Sequence, residues 1–312
     1  MIDLESQTLS EELCSLILSG RCVAFIGSGL SACSYWSWPE LVNELCAACG
    51  SPLSVTRDST SRDLLRAAQD AKERCVAQYL HVLGAHFGKP VEAANLLYDS
   101  LLALPFQCYL TTNYDPTLKL KGQALPVHFY PNLDRRHTSQ KSIHYLHGLI
   151  NEGECPALGP IVLAESEFAT AYADNTNLMQ FLGPTFENDP LVFIGCRLDE
   201  PVMTKVFEIC KRNQLRRTAI ALERDNRPPP VPKRFILKRI PVVQHRNGGT
   251  NDDATYNRMH EEVEKYRHFD VDIAWYHGLE DDHTQLRNAF DALARLDTGR
   301  PTFQTDESHD VI

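Results

Sequence analysis

Four short stretches carry residue types that can hold a phosphate, grip a polar ligand or move a proton. The first is Gly27-Ser28-Gly29-Leu30-Ser31-Ala32, a G-x-G-x-x-A pattern placed directly after the apolar run Cys22-Val23-Ala24-Phe25-Ile26. Glycines there let the backbone approach a diphosphate, and the following amides can donate to its oxygens. The same residues also suit a plain strand-to-helix turn. An acidic partner for a ribose, expected about 20 residues further on in a dinucleotide dehydrogenase, is not clearly placed. The second stretch is Thr111-Thr112-Asn113-Tyr114-Asp115. Its carboxamide either ends a strand in an Asx-turn or holds a ribose or a water, with Asp115 nearby as an acceptor. The third is Tyr145-Leu146-His147-Gly148. An imidazole titrates near neutral pH and suits a general base, although a strand-end histidine is often just a hydrogen-bonded one. With 12 histidines in the chain, His147 is set apart by position and not by rarity. The fourth stretch is Gly195-Cys196, after Leu191-Val192-Phe193-Ile194.

All four sit where a short apolar run stops, so the elements that position them are strands. Runs without alternation mark strands covered on both faces, as in a parallel sheet. Such runs fall at 22–26, 109–112, 143–146, 191–194, 218–222 and 271–275. Between them lie helical patterns. Ser10 caps a first helix with Glu11 and Glu12 in its first turn, Leu13, Leu16 and Ile17 on one face, and Gly20 at its end. Ser37 to Glu40 reads as a capping box with Pro39 in the first turn of a helix that runs to Gly50. From about 60 to 104 the pattern is helical throughout, an inserted layer. Leu286, Ala289, Phe290 and Leu293 share one face of a last helix. The stretch 226–251, with three consecutive prolines and Gly248-Gly249, predicts a loop, with a short edge strand near 235–243. Strands alternating with helices imply an α/β fold, a Rossmann-like doubly wound parallel sheet with a helical insert layer. Ligands then bind beyond the carboxyl ends of the strands, where the four stretches fall.

The bulk properties narrow the partners. The chain has 312 residues and a formal net charge of −10, so it does not by itself attract a phosphate backbone, and no direct nucleic-acid binding is predicted. Its 10 cysteines lack the spacing of a secreted disulfide framework, the start lacks a signal peptide, and no apolar run is long enough to span a bilayer. These features predict a cytoplasmic protein with free thiols and no membrane association.

Taken together in order, the segments resemble the sirtuin superfamily. Gly27-Ser28-Gly29-Leu30-Ser31 resembles its Gly-x-Gly-x-Ser phosphate loop, Thr112-Asn113-Tyr114-Asp115 its Gln-Asn-Ile-Asp segment, and Leu146-His147-Gly148 its Leu-His-Gly segment. Phe193-Ile194-Gly195-Cys196-Arg197-Leu198 resembles its later Gly-Thr-Ser-Leu loop. Two departures stand out. The Pro-Asp-Phe-Arg sequence after the glycine loop is missing. The four-cysteine zinc module of deacylating sirtuins is missing too, since only Cys155 lies between His147 and Gly195. Cys46 and Cys49 share a helix with no second pair, so two plain thiols are expected there, and no metal site is expected.

The chain is therefore similar to the zinc-free sirtuin-like branch of bacterial anti-phage systems, which includes Thoeris-type effectors and sirtuin–HerA ATPase pairs. The resemblance implies one NAD-binding domain over about 1–300, with a helical insert at about 55–104 and a polar tail at 301–312. It implies an NAD+ hydrolase that cleaves the nicotinamide–ribose bond and depletes NAD+ to abort infection. Control would come from self-assembly or from a partner such as a HerA-type ATPase. Asn113 and His147 would be catalytic. Gly27, Ser28, Gly29 and Ser31 would hold the diphosphate, Asp115 the nicotinamide carboxamide, and Gly195 and Cys196 the adenosine half of NAD+. Two alternatives stay open: a non-catalytic module that senses NAD or ADP-ribose, and an NAD-dependent protein deacylase.

Overall fold

A computed structural model describes residues 9–32, 34–88, 96–151, 160–198, 201–225, 228–241, 252–278 and 283–298. Cys155, the Gly248-Gly249 loop and the tail at 301–312 lie outside the described residues. The centre is a sheet of seven parallel strands: β1 (Val23–Ile26), β2 (Cys108–Thr111), β3 (Val127–Phe129), β4 (Ile143–Tyr145), β5 (Leu191–Ile194), β6 (Arg234–Arg239) and β7 (Asp272–Tyr276). Their order is β3-β4-β2-β1-β5-β6-β7. The first half of the chain winds away from β1 through β2 to β4. The second half starts again on the other side of β1, at β5. The strand order thus reverses at β1 and β5, and the crevice at such a switch point is where doubly wound sheets bind ligands.

Every residue of β1, β2 and β5 is buried, which explains why these strands read as unbroken apolar runs. One face of the sheet, with Phe25, Leu110 and Phe193, packs on α8 (Asn177–Asn188) and α9 (Pro201–Asp225) through Phe181, Phe186 and Phe207. The other face, with Ile26, Tyr109 and Val192, packs on α1 (Glu11–Leu18), α5 (Leu96–Ala103) and α11 (Thr284–Thr298) through Leu13, Ile17, Leu101 and Phe290. A third core joins α2 (Trp38–Cys49), α3 (Ser61–Arg74) and α4 (Val76–Phe87) through Leu45, Ala68 and Leu83. It includes Ile150, Ile161 and Leu163 from the chain after β4, so the helical layer leans on the carboxyl end of the sheet.

Helix ends follow the expected chemistry. Ser10 Oγ accepts from Leu13 N at 3.3 Å, the Glu40 carboxylate accepts from Ser37 N at 2.8 Å, and Gly50 closes α2 in the left-handed conformation at φ 70°. Two expectations are corrected. The run 218–222 is not a strand but part of α9. Ala219, Ala221 and Leu222 are strong helix formers, and no glycine or proline separates them from the helix before them, so the helix continues to Asp225. The strand near 235–243 is not at an edge. It is Arg234–Arg239, paired on both sides with β5 and β7. β3 and α10 (Asp252–Arg267) were not foreseen; β3 has only three residues, none of them buried, and offers no apolar run to read. No described helix is long and apolar enough to cross a membrane.

Candidate functional site

The glycine loop and the Gly195 loop lock together at the switch point. Gly27 N donates to Ile194 O and Gly29 N donates to Gly195 O, both at 2.9 Å. A Cβ on Gly27 would meet Gly195 O at 2.5 Å, and one on Gly29 would meet it at 2.8 Å. Gly195 itself has φ +66°, and a Cβ there would meet Leu30 N at 2.8 Å. Glycine is needed at these positions because two backbones touch. The amides of Gly27 and Gly29 are spent inside the protein, while Ser28 between them is exposed.

Asn113 lies two residues past the end of β2, and its side chain reaches into this loop pair. Its Nδ2 donates to Ser31 Oγ at 3.2 Å, and Gly27 O and Tyr98 Oη stand at 3.4 and 3.5 Å. Its own amide donates to Thr111 Oγ1 at 3.1 Å, which fixes the turn. The residue is 7% exposed, and its Oδ1 is buried with no hydrogen-bond partner. An unpaired buried acceptor costs about 1–3 kcal/mol, a cost that any donor reaching it would relieve. Asp115 sits beneath the loop, with Oδ2 accepting from Ser31 Oγ at 3.3 Å and Oδ1 accepting from Thr117 N at 3.1 Å. Burial pushes its carboxyl pKa up, and those bonds partly offset the effect. Ser31 is thus the joint between Asn113 and Asp115. Cys196 Sγ turns back onto Phe25 O at 3.3 Å.

His147 lies two residues past the end of β4, the neighbour of β2, and Thr111 pairs with Tyr145 in the parallel register. Asn113 and His147 therefore leave adjacent strand ends at matching heights. Leu146 N donates to Thr111 O at 2.8 Å and ties the two exits together. The side chains then take different company. The carboxamide faces the β1 loop, whereas the imidazole enters an aromatic box of Tyr114, Phe168 and Tyr172. His147 Nε2 lies 2.6 Å from Tyr172 Oη. Burial alone depresses its pKa to about 3, so the ring is neutral at physiological pH. Tyr114, next in chain to Asn113, bridges the groups: its ring is 6.3 Å from that of His147, and its hydroxyl donates to Val162 O at 2.8 Å.

The structure thus gathers Gly27, Gly29, Ser31, Asn113, Asp115 and Gly195 into one bonded set and places His147 beside it past the end of the neighbouring strand, while Cys196 Sγ turns onto Phe25 O and Ser28 is exposed. Tyr98, Phe168 and Tyr172 were missed. Tyr98 lies inside a helical pattern, and Phe168 and Tyr172 are four residues apart at helical spacing, so they read as ordinary core.

These features define a class: a doubly wound α/β protein with a glycine loop, a carboxamide and an imidazole at the strand ends around its switch point. Residues 107–239 match the family model of the SIR2-like domain, so this stretch of the chain is similar to that domain. The match contains Asn113, Asp115, His147, Gly195 and Cys196; the glycine loop lies outside it in sequence but is bonded to it in space. No match was found among curated proteins. Among the described residues, no cluster of three or more histidine, cysteine or acidic side chains is arranged to hold a metal ion.

Proposed function

We propose that the protein is an NAD+ glycohydrolase. Asn113 carries the proposal: it is buried at the switch point, its Nδ2 is tied to the glycine loop, and its Oδ1 is left for a ligand. A ribose hydroxyl or a water is a donor of the right kind for that oxygen. The sirtuin-like match over 107–239 supports the choice of NAD+ as the ligand.

Nicotinamide in NAD+ is a cationic leaving group. The ribosyl C–N bond breaks with its electron pair going to the pyridinium nitrogen, and nicotinamide departs neutral without needing a proton. A water forms the new C–O bond at the anomeric carbon and gives up its proton to His147, which is neutral and able to accept it. Asn113 orients the water or the ribose. On this reading Ser28 and Ser31 would hold the diphosphate and Gly195 and Cys196 the adenosine half, while Asp115, which accepts from Ser31 Oγ, would keep Ser31 in place in addition to any contact with the carboxamide.

Unrestrained hydrolysis of NAD+ would poison the host. The proposal therefore includes cytoplasmic action as an anti-phage effector, kept at low basal activity until self-assembly or a partner, such as a HerA-type ATPase, releases it. Nicotinamide release by purified protein tests the chemistry. Asn113→Ala and His147→Ala are both expected to abolish it while the fold persists. Undiminished turnover in both variants would remove the assignment. Stabilisation by NAD+ without nicotinamide release would favour a sensor, and loss of acetyl groups from peptides would favour a deacylase.

A further inference from the structure

We propose that Tyr172 is a positioning residue for His147: its phenol oxygen accepts the Nε2–H, fixes that tautomer, and leaves the Nδ1 lone pair as the base. The inference rests on the hydrolase function proposed above, and it names the group that prepares the imidazole for it.

A neutral imidazole has one N–H and one lone pair, and the bond made by one nitrogen decides the role of the other. His147 is 3% exposed, and among the described residues its Nε2 is bonded to Tyr172 Oη at 2.6 Å. A phenol can donate or accept, so two arrangements are open. If the phenol donated to Nε2, the proton would sit on Nδ1 and the ring would keep no free lone pair with which to act as a base. In the opposite arrangement Nε2–H donates to Oη and the lone pair stays on Nδ1. That is the arrangement in which the ring can accept the proton that the proposed reaction releases. When Nδ1 takes that proton, the Nε2–H to Oη bond becomes charge-assisted and strengthens as the reaction proceeds.

Tyr172 is held firmly enough for this task. It follows α7 (Glu165–Ala171), and its ring stacks on Phe168 with centroids 5.7 Å apart and planes at 10°. Both rings meet the imidazole nearly edge to face, at 76° and 84°. α7 is pinned to α3 by Lys72 Nζ and Glu167 Oε1 at 2.5 Å and by Ser166 N donating to Gln69 Oε1 at 3.0 Å. Lys205 Nζ of α9 donates to Tyr172 O at 2.9 Å. The hydroxyl is thus aimed from three sides.

The test joins a tautomer measurement to kinetics. Nitrogen-15 correlation spectra of the histidine rings, with the His147 signal assigned by its loss in His147→Gln, should show protonated Nε2 in the wild-type protein. Protonated Nδ1 would overturn the proposal. Tyr172→Phe keeps both ring contacts and removes only the hydroxyl. In that variant the two tautomers should mix, and kcat for nicotinamide release should fall by about 10- to 100-fold with KM nearly unchanged, the loss expected of one charge-assisted bond. Full wild-type kcat, or a single unmixed tautomer, in Tyr172→Phe would also overturn it. Wild-type protein that releases no nicotinamide would defeat the hydrolase function, and the spectrum would still decide the tautomer.

Discussion

At the scale of residues, some groups of the site brace it and one keeps an unsatisfied polar atom. Asn113 does both, with its nitrogen tied to Ser31 and its oxygen buried without a partner among the described residues. Ser31 braces, since Asp115 holds it from below. His147 differs from a surface histidine in being neutral far below the usual range, because burial depresses its pKa to about 3. Nicotinamide release should therefore be flat from neutral pH down to about pH 5, with no acid limb near the ordinary histidine value of about 6.5. A limb near that value in a kcat/KM profile would mean that the imidazole is hydrated and titrates normally. Gly195 makes a structural demand of its own. Its φ is +66° and its Cα faces Leu30 N. Gly195→Ala is expected to cost about 1–3 kcal/mol, read as a lower Tm, because a left-handed non-glycine residue is strained even before the clash.

At the scale of elements, buried faces and exposed ones should respond very differently to substitution. Phe290 of α11 is fully buried against β1 and its neighbours in one core, so Phe290→Ala should lose about 3–5 kcal/mol in denaturant unfolding. Ile220 near the end of α9 is 47% exposed, and Ile220→Ser should stay within about 0.5 kcal/mol. If 218–222 were a core strand, that second substitution would be as costly as the first, so the pair of measurements checks the corrected assignment directly. The strands themselves were legible because parallel strands covered on both faces must be apolar throughout. The end of α9 was not, because a short apolar run fits a helix and a strand equally well when only length and flanks differ.

At the scale of the whole molecule, acid should unfold the protein early. His144 and His147 are both buried with pKa values depressed to about 3, His144 by burial and then by neighbouring His128 and His137. Between pH 3 and the unfolded value near 6.5, the unfolded chain binds two protons that the folded one refuses. Stability therefore rises with pH through that window, is complete above it, and is lost as pH falls toward 3. A Tm series should decline steadily below about pH 6.5, and His144→Phe should lessen the slope by about one proton. An unchanged slope would show that the ring of His144 is already charged in the folded protein.

The order of the four motifs, the strand ends they occupy and the parallel character of the sheet were all fixed by local pattern. Apolar runs have only one way to be buried on two faces, and polar residues that interrupt them must lie at the ends. What the sequence left open was company. Gly27, Asn113 and Gly195 are far apart along the chain, and only the reversal of strand order at β1 brings their loops within hydrogen-bonding distance. Tyr172 has no local mark that separates it from a core tyrosine; only the fold brings its hydroxyl to 2.6 Å from His147 Nε2. Contacts between distant segments depend on where the chain crosses, and crossing order is a property of the packed sheet and not of any stretch of residues within it.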